Sequence, residues 1–373
     1  MKILINASNI GQGGATQVTD SICHGLYQIP EVDFVVVLAK SLAYLKEELA
    51  SFRHVEFVLH NISRNKWVKI TGREPFLDDL VSRQKIDCVL SIFGPTWWIP
   101  RCPHVAGFAL AHLVTPESPF FQRMGRVEWI KSKVHNMVIE FFYRRCSRIY
   151  YTENPMITER LQKRFRHHKV FTITNYYNQV YDYPEKWERK PLPKFDGCTM
   201  LTLAASYPHK NLGIAIPVAQ YLHDKYPSFS FRFVFSIKEE EYPGIPDNLK
   251  EHFLFIGQVP IRQCPSLYQQ ATIVFQPTLL ECFTAAYPEA MVMERPIVTT
   301  SLAFAKGLCG DAALYYSATS HQEAAECIYT LANDESLYKH LVSCGKIQLN
   351  SYDTYNERVI KLVSLCSQIV ANK

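Results

Sequence analysis

Thirteen short apolar runs, each of strand length and separated by longer amphipathic stretches, constrain this chain more than any other feature of its sequence. In the first half they cover residues 2–6, 34–38, 55–59, 88–92, 105–110, 149–152 and 170–173. In the second half they cover 200–204, 231–235, 253–256, 273–276, 297–300 and 313–316. Several are nearly unbroken Val, Ile and Leu, the pattern of strands buried on both faces of a parallel sheet. Stretches such as 15–28, 42–52, 212–225 and 287–293 have helical periodicity and fill the gaps. Alternating strands and helices predict an α/β chain built on doubly wound sheets. With 373 residues the chain exceeds one ordinary core, so two Rossmann-like domains are expected.

The break falls where apolar periodicity stops. Pro184, Glu185, Lys186, Arg189, Lys190, Pro191, Pro193 and Lys194 mix prolines with charges, which reads as a linker. The expected division is a first domain over 1–185, a linker over 186–198 and a second domain over 199–350. A C-terminal helix over 351–373 would follow, carrying Val359, Leu362, Val363, Leu365 and Ile369 at helical spacing, with packing onto its own domain as the default and a crossing back to the first domain as the alternative.

Composition excludes several classes. With 47% hydrophobic and 20% charged residues the chain is neither disordered nor fibrous. No run of eighteen apolar residues is present, so no membrane-spanning helix is expected. The apolar start is too short for a signal peptide and lacks a cleavage site, which predicts a cytoplasmic protein. The eleven cysteines include no Cys-x-x-Cys pair, so reduced thiols are expected and zinc is not. The net charge of +5 is concentrated: residues 123–169 hold twelve Lys and Arg against Glu128, Glu140, Glu153 and Glu159. Solvated helix faces are one reading. A face resting on anionic lipid, or receiving an acidic lipid-linked acceptor, is the other, and the aromatic Trp97, Trp98 and Trp129 would suit it. Nucleic acid is not expected, because no recognised binding motif accompanies the charge.

Three places could carry chemistry. Glu281 and Glu289 follow the strand 273–276, the first in a loop and the second in a helix that tolerates Pro288 in its first turn. Carboxylates at the carboxyl end of a parallel strand can accept paired hydrogen bonds from sugar or ribose hydroxyls, and the backbone N–H groups of 283–286 could face an anion. His209 and Lys210 follow the strand 200–204, where a lysine can hold a phosphate. Gly11, Gln12, Gly13 and Gly14 lie between the first strand and first helix, where glycine lets backbone approach a ligand closely. The order matches neither a dinucleotide fingerprint nor a P-loop.

The second half resembles the retaining glycosyltransferases of family 4, which have the GT-B fold of two Rossmann-like domains facing each other across a cleft. The resemblance rests on the Glu-x7-Glu pair Glu281 and Glu289, with Pro277 before it and Pro296, Ile297 and Val298 after it. It rests also on Gly310-Asp311-Ala312-Ala313-Leu314, on Lys210-Asn211 and on the turn Gly257-Gln258-Val259. These markers occur in the family's order between about residues 200 and 320. The resemblance implies that Glu289 binds the donor ribose, Glu281 the transferred sugar and Lys210 the diphosphate. Phe283, Thr284 and Ala285, beside Cys282, would complete the cradle, with Gly257 and Val259 near the base and Gly13, Gly14 and His209 lining the donor. No cofactor or metal is implied, since a lysine and a helix start take the cation's place.

The chain departs from the family at several positions. Ala205 stands where an arginine usually partners Lys210, leaving Arg262 as a candidate substitute. Cys282 and Thr284 replace glycines. The family's first-domain histidine aligns with Ala109; His112, three residues on, is the catalytic candidate, a structural histidine being the other reading. The expected reaction moves a hexose-type sugar from a UDP or GDP donor, with retention, to a saccharide or lipid-linked acceptor in cell-surface polysaccharide assembly. The alternatives are a nucleotide-sugar 2-epimerase and a non-catalytic sugar-nucleotide binder.

Overall fold

The apolar runs all become parallel strands, distributed between two separate sheets. A computed structural model describes every residue except Gln12, 63–65 and Lys373; Gln12 of the glycine loop and Lys373 of the terminal segment therefore lie outside the described residues.

The first unit comprises Met1–Val114, Gly125–Asn178 and Asp353–Lys373. Its strands are β1 (Lys2–Ala7), β2 (Asp33–Leu38), β3 (Val55–Leu59), β4 (Cys88–Ser91), β5 (His104–Gly107), β6 (Ile149–Thr152) and β7 (Lys169–Thr172), in the order β3-β2-β1-β4-β5-β6-β7. The central strands β1, β2 and β4 are almost wholly buried, as unbroken Val/Ile/Leu runs require. The C-terminal helix Tyr355–Ala371 lays Val359, Leu362, Val363, Leu365 and Cys366 into this core. Its start carries a capping box between Thr354 and Glu357. Thr174 and Asp353 exchange hydrogen bonds just before it. Arg358, fully buried, donates to the Asn175 amide oxygen. Glu153 is buried too, and desolvation pushes its carboxyl up to about 7 against the opposing field of Arg358.

The second unit comprises Thr115–Met124 and Gln179–Tyr352. Its strands are β8 (Cys198–Thr202), β9 (Phe231–Phe235), β10 (Phe253–Phe255), β11 (Ile273–Gln276), β12 (Ile297–Thr300) and β13 (Ala313–Tyr316), ordered β10-β9-β8-β11-β12-β13. Strands β8, β9, β11 and β12 are buried throughout. Val218, Ala219 and Leu222 of the Ala215–Lys225 helix and Ala324, Ala325 and Ile328 of the His321–Asn333 helix close the core on one side of the sheet.

These units differ from the limits expected from sequence. Residues 115–124 pack with the second unit, because their polar groups find partners there: the Ser118 hydroxyl donates to the Leu279 carbonyl at 2.7 Å, and Arg123 donates to the Asn211 side chain. Residues 179–185 also belong to the second unit. The proline-rich stretch after them is an extended strap stitched to that unit: the Lys190 and Leu192 amides donate to Ser266 and Gln270, and Arg232 donates to the Pro193 carbonyl. The expected strand over 105–110 stops at Gly107, where a β-carbon would lie 1.9 Å from the Ile92 carbonyl.

Of the two neighbouring tryptophans, Trp98 is core: it is fully buried and its indole donates to Asp78 at 3.0 Å. Only Trp97, edge-on to Phe142 at 4.5 Å, is partly exposed. Part of the basic stretch is neutralised internally, since Arg144 and Arg164 both hold Glu140 at 2.6 Å. Among the described residues no helix is long and apolar enough to cross a membrane.

Candidate functional site

In the second sheet the strand order reverses between β8 and β11, which pair directly through Met200 with Ile273 and Leu201 with Val274. Chains leaving these two strands diverge, and the crevice outside their carboxyl ends is where doubly wound sheets bind ligands. Lys210 stands on the segment after β8 and Glu281 on the segment after β11, so the topology itself brings them together.

The two segments are laced by one backbone and two side-chain hydrogen bonds. The Leu279 amide donates to the His209 carbonyl at 2.8 Å, the Thr278 hydroxyl reaches the same carbonyl at 3.3 Å, and the Asn211 amide donates to the Pro277 carbonyl at 3.1 Å. Asn211 supports the geometry with a left-handed backbone, φ 55°, a conformation asparagine accepts more readily than most residues. On this frame Lys210 Nζ lies 2.5 Å from Glu281 Oε1, and Thr278 donates to that oxygen at 2.9 Å. The two side chains are only 16% and 10% exposed. This lysine is therefore a part-buried amine with a fixed anionic partner rather than a mobile surface charge.

His209 stacks on Tyr207 at 5.6 Å and meets Phe120 edge-on at 6.2 Å. Burial lowers its pKa, Glu281 opposing and Lys210 adding to the effect, which favours the neutral ring.

Glu289 occupies a different environment. It sits in the Ala286–Val292 helix, with Pro288 in its interior-facing first turn, and is 6% exposed. Tyr268 donates to its Oε2 at 2.8 Å. Burial pushes its carboxyl up to about 7, while Tyr268 and Tyr181 favour the charged form. The second carboxylate of the pair is thus poised at neutral pH inside a tyrosine pocket. Between the two glutamates Cys282 and Thr284 are buried, Phe283 and Ala285 are partly exposed, and Phe283 meets Tyr352 edge-on at 5.9 Å.

The remaining expected residues lie at strand ends as well. Gly257, after β10, has φ +67° with open space around its α-carbon, so backbone conformation rather than room calls for glycine there. Val259 follows, half-buried. In the first unit Gly13 (φ 75°) precedes the Gly14–Gly25 helix beyond β1, and no atom lies within 4 Å of a β-carbon at either glycine. His112 sits in the Ala111–Leu113 turn beyond β5, its carbonyl facing the Asn136 amide at 3.5 Å.

Sequence reasoning missed two features of the second unit. Arg123 donates to Asn211, the residue after Lys210, although it lies far away in sequence. Arg262, the candidate substitute for the absent arginine, is an exposed residue of the Ile261–Gln263 turn. Tyr268 and Tyr181 around Glu289 were also unforeseen; no local spacing signals them, because three separate segments supply the pocket. Among the described residues no three His, Cys, Asp or Glu side chains converge as a metal site would require.

Residues 198–334 match the profile of the family described as Glycosyl transferases group 1. No curated protein sequence matches the chain. Solved structures do. A glycosyltransferase from Rickettsia africae superposes with a TM-score of 0.69 at 12% identity, covering 100% of this chain and 99% of that one. Sucrose-phosphate synthase from Thermosynechococcus elongatus gives 0.71 at 12% identity with the same coverage. Anabaena HepE, in complex with UDP and glucose, gives 0.66 at 15% identity over the full length of both chains. The chain has the two-domain α/β architecture of GT-B glycosyltransferase structures, and its second unit contains the segment that matches the group 1 glycosyltransferase family.

Proposed function

We propose that this chain is a retaining glycosyltransferase that moves a hexose-type sugar from a nucleoside-diphosphate donor, of UDP or GDP type, to a saccharide or lipid-linked acceptor in surface polysaccharide assembly. The observation that carries the reading is the Lys210–Glu281 pair at the switch point of the second sheet, inside the segment that matches group 1 glycosyltransferases. Binding of UDP by HepE, a structural neighbour, supports a donor of this class.

Each role follows from local chemistry. A diphosphate leaving with the sugar bond's electron pair gains negative charge, and a part-buried amine aimed at it stabilises that charge more than water does. Lys210 fills this role, taking over the cation's work so that the reaction needs no metal. Glu281 holds the amine in place; with donor bound, the phosphate takes a share of the ammonium and Glu281 accepts from a sugar hydroxyl. Glu289, in its tyrosine pocket, accepts from the ribose. Arg123, which donates to the side chain of Asn211, the residue after Lys210, is assigned the role of the second cation that Ala205 cannot supply. Gly257, Val259, Phe283, Thr284 and Ala285 line the donor with backbone and small side chains. Gly13 and Gly14 are assigned to the donor and His112 to catalysis.

The test is a thermal-shift panel of UDP-, GDP- and ADP-sugars, then product analysis by NMR with and without acceptor. Donor-dependent stabilisation and α-linked product from an α-linked donor, unaffected by EDTA, are expected. Interconversion of the donor alone would instead identify an epimerase. Binding without turnover of any donor would identify a non-catalytic binder.

A further inference from the structure

The Arg126–Cys146 helix in the first unit is turned the wrong way round for a helix of a water-soluble surface. Over its 21 residues only Tyr143 and Cys146 are buried. Its outward side instead carries Val127, Ile130, Val134, Met137, Val138 and Phe141, all between 49% and 70% exposed. At 3.6 residues per turn these six fall within an arc of about 100° along a helix about 30 Å long. A stripe of that width normally faces a core. Scattered apolar side chains on a surface need no explanation, but a continuous row marks an interaction face.

The row extends beyond its own helix. Arg145 donates to the Ile70 carbonyl at 3.1 Å, joining the neighbouring Lys66–Thr71 helix, where Trp67 and Ile70 are 74% and 64% exposed. The flanks are cationic. Lys133 lies over Trp129, Arg145 over Phe141 and Lys69 over Trp97, with Arg126 and Lys131 exposed beside them. Neither glutamate of the helix falls within the apolar arc, and Glu140 is held by Arg144 and Arg164.

We propose that this face docks the protein on an anionic lipid bilayer, the helix lying in the plane of the headgroups. Aliphatic and aromatic side chains would enter the acyl boundary, and the flanking lysines and arginines would meet lipid phosphates. Charge selects this occupant over a second copy of the chain. Cations flank the row near both ends of the helix, so two such faces would oppose like charges whether paired parallel or antiparallel. The low apolarity of the helix as a whole, which does not qualify it to cross a membrane, fits one that lies on it. The inference stands apart from the donor chemistry, since none of these residues belongs to the second unit.

The experiment is flotation of the full chain with vesicles of pure phosphatidylcholine and with vesicles about one-third phosphatidylglycerol. The wild type is expected to float with the anionic vesicles, to be released by high salt and to float poorly with the neutral ones. Two variants separate the contributions: Ile130→Ser/Met137→Ser/Phe141→Ser removes the apolar row, and Lys131→Glu/Lys133→Glu reverses the flank. Each should weaken binding at least about tenfold while leaving sugar-nucleotide thermal shifts unchanged, which separates failure of this inference from failure of the donor reading. Absence of wild-type flotation at low salt, or equal flotation of all three proteins, overturns the proposal. So does a solution dimer, seen by sedimentation, that the serine variant dissociates, which would assign the face to a second copy.

Discussion

Donor binding should release a proton, because Glu289 is buried among hydroxyls with its carboxyl pushed up to about 7. A ribose that donates to this group favours the ionised form. With a free-state pKa near 7, about one-eleventh of the sites are ionised at pH 6 and about ten-elevenths at pH 8, so affinity should rise about tenfold across that interval, or about 1.4 kcal/mol. The sign is diagnostic. His209, its pKa lowered by burial, can only lose positive charge as pH rises, which would weaken anion binding. The probes are UDP-glucose, GDP-mannose and ADP-glucose, whose phosphates are all diesterified and do not titrate in this range. Calorimetry in buffers of different ionisation enthalpy should show up to about 0.9 of a proton released at pH 6 and about 0.1 at pH 8. Glu289→Gln should bind more weakly at pH 8 and with no slope. A flat wild-type profile, or a slope that survives in Glu289→Gln, refutes the reasoning. Stability follows the same linkage. The folded pKa lies above the unfolded value of 4.5, so the contribution is fully present below pH 4.5 and is lost as pH rises through 7. It amounts to something on the order of 3 kcal/mol that Glu289→Gln should make insensitive to pH.

Lys210→Met should weaken nucleoside-diphosphate binding by about tenfold to a hundredfold, the worth of a charge-assisted hydrogen bond, and lower turnover further. Glu281→Gln frees the amine and should leave diphosphate affinity equal or tighter while turnover falls; equal losses of affinity in both variants would contradict the division of labour. Arg123→Gln should cost about tenfold in diphosphate affinity and little in affinity for the bare nucleoside, and an equal loss for both ligands would assign Arg123 to folding alone. Gly25→Ala places a methyl 2.7 Å from Val359 and should destabilise the first unit by about 1 kcal/mol or more. In a Val359→Ala background the same change should become neutral or stabilising by about 0.5 kcal/mol, and persistence of the full penalty would show the clash is not its cause.

Sequence alone determined the local character of this protein. Unbroken Val and Ile in runs such as 34–38 can be satisfied only by burial on both faces, and all thirteen runs became parallel strands with ends shifted by a few residues. The switch-point loops were legible for the same reason: Lys210 and Glu281 each follow closely on a strand, so their place at the carboxyl edge is set by distance along the chain. Tertiary structure decided whatever depends on partners remote in sequence. Trp98 and Trp97 are adjacent residues, yet one is core and the other is partly exposed. The partners of Asn211 and Glu289, namely Arg123, Tyr181 and Tyr268, come from three further segments that no periodicity connects to them. For the Arg126–Cys146 helix the sequence left solvated faces and a lipid-facing surface both open, and only the fold shows its apolar stripe turned outward. Periodicity reports that one face of a helix is apolar; which side of that helix meets the rest of the chain is settled by the packing of everything else.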